Sequence, residues 1–323
     1  MMRVLVTGAN GFVGRAICAE AVLRGHDVTA LVRRAGAALP GVREWVLADS
    51  DFVSIADAWS IGNIDVVIHS AARVHQFGEH EAAMVDIYRA TNVDGTLRVA
   101  EASFRHGCHR FINVSSVKAL GERDPGRPLL ESDPPAPQDA YGISKLEAEM
   151  ALSAFAQRHD VQCVSVRPPL VYGPGVGGNF ERLMSAVWRR ALLPLGCANA
   201  ARSLVFVNNL VDALLVLAER EGQVRPLYHV ADAQMPTVRE LVAALGRHLE
   251  RPPRLISIPV GVLNWGGRLA GRRETIQRLV EPLRIDTHAI RDDLGWCPPY
   301  SLEDGLARTA QAYLQHAAET QRS

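Results

Sequence analysis

An excess of charge of either sign is missing: 35 Lys and Arg balance 35 Asp and Glu, leaving a formal net charge of zero. Overall charge therefore gives no reason to expect a nucleic-acid or membrane partner. Cysteine is sparse, and Cys18, Cys108, Cys163, Cys197 and Cys297 show no C-x-x-C spacing. That argues against a disulfide framework or a zinc site, leaves no metal to expect, and fits a reducing cytoplasm. Long apolar runs are lacking as well. The most apolar late segment, ISIPVGVLNWGGRLAG (256–271), is too short and too Gly-rich to span a bilayer and is read as a core or pocket helix. No separate charged and apolar regions precede the first strand, so no signal peptide is expected and the cytoplasm is the expected compartment. Repeats and low-complexity tracts are not found.

What is present is a chain of 323 residues, 48% apolar and 22% charged, enough for one large α/β domain with a smaller lobe. The first two-thirds alternate short β-branched runs with longer helical patterns, the signature of a parallel sheet with crossover helices. Strands are expected at 3–8, 26–32, 42–48, 64–72, 109–116 and 161–168, with helices at 12–25, about 80–106 and about 141–158. After VYGPG (171–175) helices predominate, with short strands near 203–207 and 226–230. The expected fold class is therefore a Rossmann doubly wound parallel sheet over 1–175, to which 203–235 contributes, with a mostly helical substrate-binding lobe over 176–323.

Two local patterns carry chemistry. GANGFVG places Gly8, Gly11 and Gly14 between the first strand and the first helix. Glycine allows the tight turn, lets the backbone approach a pyrophosphate and lets the helix pack close to the sheet; the helix N-terminus then faces the anion. Further along, DAYGISK sets Tyr141 and Lys145 one helical turn apart, so both side chains leave one face of a helix. A phenol with a pKa near 10 is a poor acid–base catalyst at neutral pH. A neighbouring ammonium favours the phenolate, and a shift of about three units needs about 4 kcal/mol. Lys145 and an oxidised nicotinamide ring are expected to share that cost.

The G-x-x-G-x-x-G spacing together with DAYGISK resembles the extended short-chain dehydrogenase/reductase family, in its NAD-dependent epimerase/dehydratase group, over nearly the whole chain. The resemblance implies a third catalytic group at the end of strand 5. Matching FINVSSVKALGE on Phe111 and Gly121 puts Ser116 there, with Ser115 beside it. It implies a cofactor site that takes in Gly8, Asn10, Gly11, Phe12, Val13 and Gly14 of the turn. Asp49 would contact the adenine with Ser50 beside it, Ala71 and Ala72 would line the path to the nicotinamide ribose, and Asn92, Tyr141, Lys145 and Pro168 would complete it. Val32 stands where NAD-using members carry an aspartate, and Arg33 and Arg34 follow; a guanidinium can bind a 2′-phosphate through paired hydrogen bonds. NADP(H) is therefore favoured, with NAD(H) possible.

The resemblance also bears on the reaction. Members that eliminate water carry an acid and a base directly after the catalytic hydroxyl, whereas this chain has Val117 and Lys118. RPPLVYGPG (167–175), Asn179 in GGNF and Arg202 in RSLVFVNNLVDAL resemble segments that bind a UDP-sugar, with Arg278 or Arg273 as a second phosphate ligand and Lys118 as a sugar contact. The ending IDTHAIRDDLGWCPPYSLEDGL (285–306) resembles that of nucleotide-sugar epimerases and is read as structural. The expected activity is reduction of the C4 keto group of a UDP-4-keto-6-deoxy-N-acetylhexosamine for surface polysaccharide, with Tyr141 donating the proton. The alternatives are a UDP-glucose or UDP-N-acetylglucosamine 4-epimerase, a reductase of a non-nucleotide carbonyl compound, and a non-catalytic NADP-sensing regulator. A homodimer through the helices near 80–106 and 141–158 is expected by resemblance.

Overall fold

β1 (Arg3–Thr7) has no exposed surface from Val4 to Thr7, as a central strand covered by helices on both faces requires. Around it, a computed structural model that describes residues 1–74, 81–259, 261–262 and 280–320 shows β2 (Asp27–Val32), β3 (Arg43–Val46), β4 (Val66–His69), β5 (Arg110–Val114) and β6 (Gln162–Arg167). Three short strands follow: β7 (Leu170–Tyr172), β8 (Leu192–Leu193) and β9 (Leu204–Phe206). β10 (Leu227–His229) then closes a seven-stranded parallel sheet of order β10–β6–β5–β4–β1–β2–β3. β7 pairs with β9, and β8 with β11 (Arg254–Leu255).

The strand order reverses between β1 and β4, and a crevice opens outside the carboxyl ends of strands at such a point. Side chains alternate across the sheet with period two. Val4, Val6, Val28 and Ile68 face one core, with α1 (Phe12–Leu23) and α6 (Val207–Glu219) over it; Leu5, Leu31, Val67 and Phe111 face the other. Each such side chain contributes roughly 1.5–3 kcal/mol on burial. The first core runs on without a break to Leu241 and Leu245 of α7 (Val238–His248) and to Leu306, so the later third of the chain shares it.

The stretch expected as one helix over 80–106 is three pieces: α2 (Glu81–Tyr88), a π-helical turn (Arg89–Gly95) and α3 (Thr96–Arg105). Wide turns of this kind are common where a side chain must be re-aimed inward, and Asn92 inside it is buried. α4 (Ala140–His159), α5 (Gly178–Trp188), α8 (His288–Leu294) and α9 (Leu302–Thr320) complete the named helices. Residues 283–286 stitch the two parts together. Leu283 bridges Arg202, Ile285 bridges Leu129, and Arg284 forms an ion pair with Asp124 at 2.8 Å. Most of 256–271, expected as a core or pocket helix, lies outside the described residues. No described helix is long and apolar enough to cross a membrane.

Candidate active site

The glycine turn is built as its spacing predicts. Gly8 holds φ at +65°, and a Cβ there would stand 2.7 Å from the Ala71 nitrogen. A Cβ on Gly14 would lie 2.1 Å from the Gly8 carbonyl oxygen, so α1 reaches the sheet only because Gly14 has none. Gly11 donates its N–H to that carbonyl at 2.9 Å and precedes α1, whose first turn has no side-chain cap. Uncapped N–H groups at a helix start are free to meet an anion. In front lies a cleft of about 400 Å³ lined by Gly8, Asn10 and Gly11 of the turn, Val32 at the end of β2 and Arg33 after it, Asp49, Ser50, and Ala71 and Ala72 after β4. The side chains of Phe12 and Val13 pack against the core, while their backbone N–H groups belong to the uncapped first turn of α1. These features fit a dinucleotide: a glycine cradle, uncapped amide donors and a cleft at the switch point.

At the β2 end of the cleft the two arginines part company. Arg33 lines the cleft; Arg34 is exposed and outside that lining. Asp49 accepts from Val53 N at 2.9 Å and Ser54 N at 3.1 Å. Partial burial opposes its charge, but the bonds from Ser54 and Val53 hold its carboxyl below the usual range. It therefore shapes the 49–54 turn while lining the cleft.

The second half of the candidate site is the start of α4. Asp139 caps it, accepting from Gly142 N at 2.7 Å. A Cβ on Gly142 would stand 2.5 Å from the Lys118 carbonyl oxygen, so this glycine lets α4 press on the 3₁₀ turn Val117–Ala119. Ser116 caps that turn, accepting from Lys118 N at 3.2 Å, while Val117 N donates to Pro168 O at 2.9 Å. The turns carrying Ser116 and Tyr141 thus pack together. Pro168 is buried beneath them, its carbonyl spent on the Ser116 turn. Lys145 is buried, donates to Val114 O at 2.9 Å and lies 5.9 Å from the Tyr141 ring centre.

Here the structure corrects the expected electrostatics. Burial, then the Asp139 carboxylate, then Tyr88 push the Tyr141 phenol well above its ordinary pKa. Burial lowers Lys145 to about 8, with Glu149 opposing. In the protein by itself, burial and the Asp139 carboxylate favour the protonated phenol. A bound oxidised nicotinamide would supply a push in the opposite direction.

Three buried connections escape sequence reading. Asn92 accepts from Arg73 N at 2.7 Å and donates to Ser144 Oγ at 2.9 Å, joining the loop after β4 to α4. His69, between Thr7 and Thr96 at 2.9 and 3.1 Å, is pushed down to about 3 by burial and then by Lys145, and stays neutral. Glu149 takes paired bonds from Arg167, one at 2.6 Å, and one from Ser115 Oγ. A carboxylate four residues after Lys145 on the same helix face was the available signal for the last.

The expected substrate residues are scattered. Lys118 forms ion pairs with Asp139 and, at 3.1 Å, Glu122. Asn179 is exposed in the first turn of α5. Arg202 donates to Glu281 O at 2.9 Å. Arg278 and Arg273 lie outside the described residues. Among the described residues no cluster of His, Cys, Asp or Glu could hold a metal ion.

A family model for the NAD dependent epimerase/dehydratase family matches residues 4–231. The chain is 35% identical over 318 residues to a UDP-glucose 4-epimerase of Vibrio cholerae, covering 97% of this chain and 95% of that one. It is 27% identical to a UDP-glucose 4-epimerase of Mycolicibacterium smegmatis, covering 97% and 98%. Among solved structures, MoeE5 in complex with UDP-glucuronic acid and NAD is 26% identical, with a TM-score of 0.76 over 98% of this chain and 99% of that one. The chain belongs to the NAD dependent epimerase/dehydratase family, an extended short-chain dehydrogenase/reductase group, and is a nicotinamide-dependent enzyme. The comparisons carry this part of the sequence expectation and do not carry a preference for NADP or for keto-sugar reduction.

Proposed function

We propose that the protein is a UDP-hexose 4-epimerase, acting on UDP-glucose or its N-acetylhexosamine counterpart. The observation that carries this reading is the Tyr141–Lys145 pair on α4, packed on the Ser116 turn and joined through Ser144 and Asn92 to Arg73, which lines the cleft in front of the glycine turn. The 35% identity over nearly the full length to a UDP-glucose 4-epimerase supports the sugar class. A bound nicotinamide supplies a hydride acceptor that can return the hydride. Tyr141 exchanges a proton with the C4 oxygen, and Ser116 holds that oxygen by a hydrogen bond. Asn92 fixes α4 relative to the β4 loop through Ser144 and Arg73. Neither Val117 nor Lys118 can serve as the acid–base carboxylates of elimination, which argues against dehydration. Asn179 and Arg202 are the candidate ligands for the uridine diphosphate.

A second reading, NADPH-dependent reduction of a UDP-4-keto-6-deoxy-N-acetylhexosamine, is favoured by one feature. The cleft wall at the end of β2 is Val32 and Arg33, with no carboxylate to repel a 2′-phosphate. One pair of assays separates the two. Supplied with UDP-glucose or UDP-N-acetylglucosamine and NAD, an epimerase forms the 4-epimer and consumes no net cofactor. A reductase leaves both sugars untouched and oxidises NADPH only when given the keto sugar. If no 4-epimer forms, the epimerase reading fails; if no cofactor is oxidised either, both fail. Replacing Arg33 with alanine raises the KM for NADPH far more than for NADH if Arg33 reads the 2′-phosphate.

A further inference from the structure

Lys118 and Asp139 lie 21 positions apart in sequence, yet their side chains meet beside Tyr141. Asp139 is divided between two tasks. One carboxylate oxygen caps α4 at Gly142 N, 2.7 Å away, and the other takes the Lys118 ammonium. The contact is imposed by the fold, because Gly142 brings α4 against the Lys118 carbonyl. Lys118 also meets Glu122 at 3.1 Å, so one cation serves two carboxylates at the rim of the site.

The groups facing Tyr141 are few. Lys145 lies on its own helix, 5.9 Å from the ring, and Tyr88 of α2 packs edge-on with ring centres 6.2 Å apart. Asp139 stands at the cap, with Lys118 and Glu122 behind it. Further back, Glu149 is neutralised by Arg167, and the imidazole of His69 is neutral. Asp139 caps the helix that carries Tyr141, with its carboxylate on the N–H of the next residue, Gly142, and after burial it is the charged group that pushes the Tyr141 phenol upward. Both partners of the ion pair keep about a quarter of their side-chain surface, so water screens them only in part.

We propose that Lys118 and Asp139 are a positioning pair that sets the charge felt by the Tyr141 hydroxyl: Asp139 holds the proton on Tyr141, and Lys118 limits that hold by shielding the carboxylate. This rests on the reading of Tyr141 as the proton carrier at the sugar C4 oxygen. The two residues need not touch the sugar to act in this way.

The test is the pH profile of kcat with whichever UDP-sugar is turned over, read at the midpoint of the limb that belongs to Tyr141. D139N keeps the helix cap, since asparagine caps as well as aspartate, and removes the charge. Its midpoint is expected to fall by about half a pH unit or more. K118Q bares the carboxylate, and its midpoint is expected to rise by a similar amount; K118R stays near the wild type. The double variant K118Q/D139N is expected between the two single variants, because the two charges act on the hydroxyl with opposite sign. D139S is the reserve variant should D139N melt early. Midpoints that stay at the wild-type value, or a K118Q midpoint that falls, overturn the proposal. Y141F keeps the two questions apart. Loss of turnover in Y141F with unmoved midpoints sinks this inference only; full turnover in Y141F sinks the reading of the site on which it rests.

Discussion

Gly14 has no space for even a methyl group, because its Cβ would sit 2.1 Å from the backbone oxygen of Gly8. Neither partner is a flexible side chain, so Gly14→Ala must push α1 off the sheet and open the phosphate turn. Dinucleotide titration is expected to show at least a tenfold loss of affinity, and unchanged affinity would remove the turn from the cofactor site. This residue was legible from sequence alone because its role is local: three glycines at fixed offsets after a strand leave few other readings. Tyr141 and Lys145 were legible for the same reason, being one helical turn apart. Their ionisation was not. It depends on Asp139 and Tyr88, and on how deeply the fold buries the phenol. Lys118 was expected against a sugar, and its ion pairs with Asp139 and Glu122 appear only when α4 meets the 3₁₀ turn.

Elements are tied together here by buried polar groups, and Arg110 shows how. It is 2% exposed on β5, and its guanidinium donates to Leu217 O at 2.5 Å, Gly222 O at 2.6 Å and Arg220 O, at the carboxyl end of α6. Carbonyls at a helix end lack intrahelical donors, so Arg110 fills a need that lies more than a hundred residues away. Arg110→Met is expected to cost about 2–4 kcal/mol in urea unfolding, since buried carbonyls lose their donors. Its KM values should stay near the wild type; a stability loss below 1 kcal/mol (roughly one ordinary hydrogen bond) would show that water replaces the guanidinium. Nothing local in HRFINVSS marks Arg110 for this work. The π-helical turn around Asn92 is similar: a helix was evident over 80–106, but the wide turn follows from Asn92 having to reach both Arg73 and Ser144.

At the scale of the whole molecule, two buried histidines couple folding to pH. His69 is held down to about 3 and His229 to about 4, in both cases by burial first. Both folded values lie below the unfolded value near 6.5, so below that pH the unfolded chain takes up protons that the fold refuses. Stability is full above pH ~6.5 and declines as the pH falls toward 4, by about 1.4 kcal/mol per pH unit for each histidine. Denaturant titrations across that window are expected to show twice that slope, and His69→Asn about half of it. A flat stability between pH ~6.5 and ~5 would mean that both rings are protonated in the fold, and half the slope that one of them is.

The sequence by itself determined the sheet, the glycine turn, the placement of Tyr141 and Lys145 on one helix face and the family resemblance. Each is encoded in short-range spacing: period two in strands, 3.6 in helices, glycines at fixed offsets. Tertiary structure alone decided that β10 joins the sheet next to β6, that residues 283–286 bind the two parts of the chain together, and that Arg33 rather than Arg34 faces the cleft. It also decided the charge around Tyr141. The physical reason is range: burial and Coulomb energy depend on which distant residues the fold brings within a few ångströms, and no local pattern records that.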